Sequence, residues 1–427
     1  MQGQSKEAAV IQDDDKLLAA LAEVSAARVR GQQIEAAWFH PFPARMPTSI
    51  AQHLIERLTD SSALVFDPMC GSGTTLVAAG RSGRSALGCD WDPLAVLLTK
   101  AVIQSYAPLE GDKLRVRLKA AARQLASSGR ISVSGCLQAL PEEDRRFIEY
   151  WFPPESQREL FALALAIQNE PEESERILAW SVLSSLVISK VPGASYAIEI
   201  SRSRPRKCAQ RDVVFPLQAW DKRFRRLISR TPFAASRPTG QLEIYPGDAR
   251  QLALADETVD FVLTSPPYIT GVDYFRSHKF ALIWMGHRLA TVRELRGCAI
   301  GSERGLWSPN GLPEGIEARI SGTSMPPRRV AVVRRYLSDL QRVLLELSRV
   351  LRKGGVAILF LGPRLVSRHH NDVFDVVAQI AGSTDLRPVG GFYRKLNSKR
   401  RSLPLPARAS PLAKRLRREA MVALRKG

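Results

Sequence analysis

The chain has 427 residues, 45% of them hydrophobic and 24% charged, which suits a soluble globular protein of two or more domains. No apolar run approaches the roughly 20 residues that cross a bilayer, and residues 1–16 lack the basic-then-apolar pattern of a signal peptide. No membrane partner is therefore expected, and the cytoplasm is the default compartment. A net charge of +20 favours a polyanionic partner, of which nucleic acid is the commonest.

Five cysteines (Cys70, Cys89, Cys136, Cys208, Cys298) are scattered without a Cys-x-x-Cys pair, so neither a zinc site nor a disulfide framework is expected.

Apolar residues recur at helical spacing over residues 16–30, which read as a peripheral helix in a polar lead-in. The stretch Trp38-Phe39-His40-Pro41-Phe42-Pro43-Ala44-Arg45 is too rich in proline for a helix and too aromatic for a linker. It reads as an extended segment laid against a pocket. Residues 50–58 then read as a helix, and 63–66 as a short buried strand. That strand runs into Asp67-Pro68-Met69-Cys70-Gly71-Ser72-Gly73-Thr74-Thr75, after which a helix begins at Leu76. Strand, glycine turn and helix are the nucleotide-binding opening of a doubly wound fold. The turn is neither Gly-x-Gly-x-x-Gly nor a P-loop, so a dinucleotide or an ATP phosphate is not the obvious ligand. The next strand, 85–89, ends at Asp90, about twenty residues past the glycines, where an acid can take the ribose hydroxyls of an adenosine.

Residues 103–240 read as helices (114–125, 143–151, 156–167, 173–188) without convincing strands, and so as an insertion. Its exit, Ser201-Arg202-Ser203-Arg204-Pro205-Arg206-Lys207, and Arg223, Arg225 and Arg226 beyond it, read as a solvated face, with phosphate contact as the second reading. The sheet resumes at 242–245 and ends in Gly247-Asp248-Ala249, an acid placed to bond an adenine amine.

The apolar run Phe261-Val262-Leu263 predicts a buried strand that stops at Thr264-Ser265-Pro266-Pro267-Tyr268. Two prolines make a stiff turn. It presents a hydroxyl, proline-flanked carbonyls and an aromatic ring at the carboxyl end of a strand, where open α/β sheets bind ligands. Ser265 and the Pro266 carbonyl can accept hydrogen bonds from a flat polar group while Tyr268 stacks on it. His278, ahead of an aromatic helix over 280–285, reads as structural or phosphate-contacting rather than as a base. Residues 299–329 read as a long loop, 334–351 as an amphipathic helix, 356–361 as a buried strand and 373–380 as a helix. The tail from Arg394 is dense in Arg, Lys and Pro and reads in part as a disordered basic arm.

The stretch Phe66 to Thr75 resembles the S-adenosylmethionine-binding motif of amino-group DNA methyltransferases, and Thr264 to Tyr268 resembles their catalytic motif, in the Ser form typical of N4-cytosine enzymes. The Phe39-to-Arg45 stretch resembles the segment that precedes the cofactor motif and packs on the cofactor. The resemblance covers about half the chain and explains neither the helical insertion nor the basic tail. It implies an α/β fold, a doubly wound Rossmann-like methyltransferase sheet with a helical insertion. Divided accordingly, the chain has a lead-in at 1–36, a cofactor half at 37–102, the insertion at 103–240 as a DNA-contacting or target-recognition region, a catalytic half at 241–393 and a tail at 394–427.

The resemblance implies catalytic roles for Ser265, Pro266, Pro267 and Tyr268. It implies S-adenosyl-L-methionine contacts for Phe39, Pro41, Asp67, Pro68, Cys70, Gly71, Ser72, Gly73, Thr74, Asp90, Trp91, Asp248 and Ala249. The expected substrate is duplex DNA with a flipped base, methylated at the N4 amine of cytosine, and a cognate restriction or defence nuclease is a further partner. N6-adenine in DNA, an exocyclic amine in RNA, and a non-catalytic nucleic-acid-binding protein of the same fold are the alternatives.

Overall fold

The computed structural model describes residues 9–26, 40–42, 45–104, 108–129, 131–189, 193–198, 200, 205–210, 212–229, 240–269, 273–302, 311–363, 365–366, 373–396 and 418–427. Two helices, α1 (Asp14–Ser25) and α2 (Thr48–Leu58), precede the first strand. Asp13 caps α1 by accepting from the Asp15 amide at 2.9 Å. The alternation β1 (Leu64–Asp67), α3 (Thr74–Arg81), β2 (Ser85–Asp90), α4 (Pro93–Ile103) follows. Helices α5 (Pro108–Ser127), α6 (Val133–Gln138), α7 (Glu142–Trp151), α8 (Pro154–Gln168) and α9 (Glu173–Val187) come next. A two-residue ladder, β3 (Ala197–Ile198) with β4 (Arg206–Lys207), leads to α10 (Pro216–Ile228). The chain then returns to the sheet through β5 (Leu242–Pro246) and β6 (Val259–Thr264). Helices α11 (Phe275–Leu282), α12 (Leu289–Cys298), α13 (Glu314–Ser321) and α14 (Pro327–Val350) precede β7 (Leu351–Leu361). Last come α15 (Val373–Ala381), β8 (Leu386–Lys395) and β9 (Arg418–Lys426).

Seven strands form one sheet in the order β5-β2-β1-β6-β7-β9-β8. Pairings from β5 through β7 are all parallel, and β9 is inserted antiparallel between β7 and β8. The order reverses between β1 and β6, so their carboxyl ends flank the crevice where doubly wound sheets bind ligands. This is the doubly wound, Rossmann-like sheet that the resemblance implies. Both faces are covered, as a parallel sheet requires. Leu17, Leu21, Leu54 and Ile55 of α1 and α2 pack on one face with Phe261 and Phe360. Tyr336, Leu340 and Leu344 of α14 pack on the other with Val262 and Leu359.

The helices between β2 and β5 share one apolar cluster with α4 and α11: Leu94 and Leu98 join Leu160, Trp220, Phe224, Phe280 and Trp284. Some of their basic residues are tied into this packing, while Arg206, Lys207, Arg225 and Arg226 are exposed, as a solvated face would be. Asp221 is bridged by Arg115 and by Lys119 and Arg225 at 3.1 and 3.0 Å, and Arg223 donates to the Ser185 carbonyl at 3.3 Å. Arg202 and Arg204 lie outside the described residues.

The sequence reading needs correction in three places. Residues 299–329 are not one loop, because they contain α13 and the start of α14; the local density of Gly, Pro and Arg masks the apolar pair Ile316 and Ile320, both buried. Strand β8 went unread because Pro388 and Gly390 depress strand propensity; an edge strand tolerates both, here at a register shift between them. Most consequential, 418–426 is no arm. Ala420 to Leu424 are buried in β9 between two strands. The flanking charges are buried with partners: Arg425 donates to the carbonyls of Ile11 and Gly354 at 2.9 and 2.8 Å, and Lys426 to that of Leu351 at 2.8 Å.

Candidate active site

Four strand ends meet at one cleft of about 670 Å³, lined from β1, β2, β5 and β6 and closed from above by α12 and the first turn of α14. That volume falls in the range of small-molecule sites.

The β1 end supplies the glycine turn. Gly71 and Gly73 have φ of 55° and 79°, conformations that disfavour a Cβ. A Cβ on Gly73 would also lie 3.0 Å from side-chain carbons of Thr99 and Val102. Gly73 is the N-cap of α3 and makes no side-chain cap, which leaves the first-turn amides of α3 as donors beside the cleft. Thr75 Oγ1 donates to Asp67 Oδ2 at 2.7 Å and lies 3.2 Å from the Leu263 carbonyl, tying the ends of β1 and β6 together. Burial pushes the Asp67 carboxyl up to about 6, against hydrogen bonds from Thr75 and the Met69 amide. Asp67, Pro68, Cys70, Gly71, Ser72 and Thr74 line the cleft, as does Thr75, which the sequence reading did not single out. Burial raises the Cys70 thiol well above its usual range, so no thiolate stands ready at neutral pH.

Asp90 ends β2. Its carboxylate accepts from the Gly71 amide at 2.8 Å and the Asp92 amide at 2.9 Å, which locks the glycine turn to the acid nineteen residues on. Burial raises it to about 7. Trp91 lines the cleft and donates its indole N–H to the Leu295 carbonyl of α12 at 2.8 Å. Asp92 caps α4 and binds His278, which is wholly buried and not part of the lining. His278 is therefore placed structurally.

The proline-rich segment is present, but with a different ring from those expected. Phe39 lies outside the described residues, and Pro41 is exposed and off the lining. Phe42 faces the cleft instead, stacked on Tyr274 with ring centroids 5.2 Å apart. An aromatic beside a proline is a weak signal, and nothing in the sequence ranks Phe42 above Phe39.

Asp248 and Ala249, just past β5, also line the cleft. Arg250, which the sequence reading missed, grips the Asp248 carboxylate from Nε and Nη2, bonds Asp339 at 2.7 Å and donates to the Cys298 carbonyl at 2.7 Å. Burial opposes its charge, but Asp248 and Asp339 more than offset this and raise its pKa. One arginine among many basic residues carried no sequence signal.

At the β6 end Ser265, Pro267 and Tyr268 line the cleft, while Pro266 is buried behind them. Tyr268 Oη donates to Glu419 Oε2 at 2.8 Å. Burial, then the charge of Glu419, holds this phenol well above its ordinary range and so protonated. Arg45, Arg276, Arg296, Arg328 and Arg329 add positive charge to the lining, and Arg276 and Arg296 share Asp273 at 3.0 and 2.6 Å.

Comparison with known proteins agrees with this geometry. The family model described as DNA methylase matches residues 12–100. The Type II methyltransferase M.MvaI of Kocuria varians is 22% identical over 414 residues, covering 88% of this chain and 86% of that protein. The Type II methyltransferase M.MjaII of Methanocaldococcus jannaschii is 28% identical over 67 residues, covering 16% of this chain and 13% of that protein. Among solved structures, the rRNA methyltransferase aviRa of Streptomyces viridochromogenes covers 95% of this chain and 94% of its own at 13% identity, with a TM-score of 0.30, too loose to bear on fold or substrate. The family match over residues 12–100 and a relative followed over most of both chains support an amino-group DNA methyltransferase.

Proposed function

We propose that the chain methylates the exocyclic N4 amine of cytosine in duplex DNA, with S-adenosyl-L-methionine as donor. The observation that carries this reading is the shared cleft: Ser265, Pro267 and Tyr268 line the same space as the glycine turn and Asp90. The donor set fits the cofactor. Asp90 is a half-buried acceptor lining the cleft, suited to ribose hydroxyls; Asp248, oriented by Arg250, suits an adenine amine beside Ala249; the uncapped amides of α3 suit a carboxylate. Trp91 and Phe42 supply apolar walls. When bound, S-adenosylmethionine supplies an electrophilic sulfonium methyl.

The chain's own task is to make a poor nucleophile adequate. The lone pair of an exocyclic amine is delocalised into its ring. Ser265 Oγ and the Pro266 carbonyl, accepting its two N–H bonds, localise that pair on nitrogen, and the prolines keep both acceptors where they are needed. Tyr268 stacks on a base drawn out of the duplex. A neutral hydroxyl at position 265, the form associated with N4-cytosine enzymes, supports cytosine over adenine. The arginines at the cleft mouth suit flanking phosphates. The insertion is proposed to contact or read the DNA, and a cognate restriction nuclease is the partner this reading admits.

The test is transfer of radiolabelled methyl groups from S-adenosylmethionine to unmethylated duplex DNA and, separately, to total RNA. Label in DNA, reduced about 10²-fold by Ser265→Ala with cofactor affinity retained, is the expected result. Label confined to RNA would overturn the substrate assignment.

A further inference from the structure

Tyr268 follows a rigid turn, but its own side chain can rotate, and a ring that swings cannot hold a base in one plane. The structure fixes it from an unexpected direction. Because β9 runs antiparallel to β7, its first residues, not its last, lie at the edge of the sheet where the parallel strands end. Glu419, the second residue of β9, is buried there and accepts the Tyr268 hydroxyl at 2.8 Å. Its other oxygen accepts from Arg394 Nε at 2.8 Å and from Arg394 Nη2. Arg394 sits directly opposite Glu419 in the β8–β9 ladder, so sheet register sets the clamp. Backbone at Gly362 backs the tyrosine: a Cβ there would lie 3.7 Å from Tyr268 Cβ and Cγ. Charge-assisted bonds to a buried carboxylate are stronger than neutral ones and geometrically narrower.

We infer that Glu419, clamped by Arg394, is the positioning residue that fixes the plane of the Tyr268 ring, so that the last strand of the chain sets the geometry of the catalytic turn. This rests on the reading of Tyr268 as the ring that stacks on the extruded base. Preorganisation of this kind acts on the maximal rate once cofactor and DNA are bound.

The test is a double-mutant cycle on the full chain, with kcat and KM measured on unmethylated duplex DNA and S-adenosylmethionine affinity measured by calorimetry. Glu419→Gln keeps a neutral partner for Arg394, where Glu419→Ala would strand a largely buried guanidinium. Tyr268→Phe keeps the ring and leaves the Glu419–Arg394 pair intact. Each is expected to lower kcat about tenfold with cofactor affinity unchanged, and the double variant to lose the same factor as either single one. Wild-type kcat in either single variant, losses that multiply in the double, or a loss of cofactor affinity would overturn the inference alone. A wild-type protein that transfers nothing to DNA would overturn the functional reading, and the inference with it.

Discussion

Asp90 is held by the Gly71 and Asp92 amides, yet burial still raises its carboxyl from 3.8 to about 7. Between those values the folded protein holds a proton that the unfolded chain has released, so this group makes stability fall as pH rises across that window. Asp67, raised to about 6, contributes with the same sign. The thermal midpoint of the unliganded protein should therefore decline from about pH 4 to about pH 7 more steeply in the wild type than in Asp90→Asn. The ionised form is the better acceptor for ribose hydroxyls, so S-adenosylmethionine affinity should rise toward neutral pH and lose that dependence in Asp90→Asn, as calorimetric titration would read. Arg250 poses a separate test. Arg250→Met leaves Asp339 buried without its partner and Asp248 without its guide. A stability loss of about 3–5 kcal/mol in denaturant unfolding is expected. Cofactor binding should weaken beyond what that loss explains.

Among the elements, those with a local signature were legible and those defined by their neighbours were not. The strand Phe261–Leu263 and the glycine turn announce themselves through an apolar run and through Gly71 and Gly73, which almost no other residue could replace at their φ values. The same local logic found Asp90, since spacing from a glycine turn is a property of the chain. Strand β9 is different. Ala420, Met421, Ala423 and Leu424 favour helices when considered alone, and only the slot between β7 and β8 makes them a strand. Arg250 and Glu419 share this limit, for their meaning lies in partners 89 and 151 positions away. Among the described residues β8 pairs only with β9, so deleting 418–427 should abolish cooperative unfolding and soluble yield. Met421→Ala, at a fully buried position, should cost about 2–5 kcal/mol in a denaturant melt.

For the whole molecule, a net charge of +20 pointed to a polyanion, but part of that charge is structural. Arg115, Arg250, Arg425 and Lys426 are buried with internal partners, whereas Arg328 is exposed at the cleft mouth. DNA binding should still release counterions, and its affinity should fall at least about tenfold between about 50 and 200 mM salt, measured by fluorescence anisotropy. Among the described residues no helix is long and apolar enough to cross a membrane. One cleft joins the glycine turn to the Ser-Pro-Pro-Tyr turn, and the product formed there is the most direct test of its chemistry. Duplex DNA treated with the protein and S-adenosylmethionine would be digested and its nucleosides identified by mass spectrometry. N4-methylcytosine, reduced about 10²-fold when Ser265→Ala replaces the wild type, is the predicted product. Methyl on carbon 5 of cytosine, or DNA left unmethylated while the protein binds the cofactor, would contradict it.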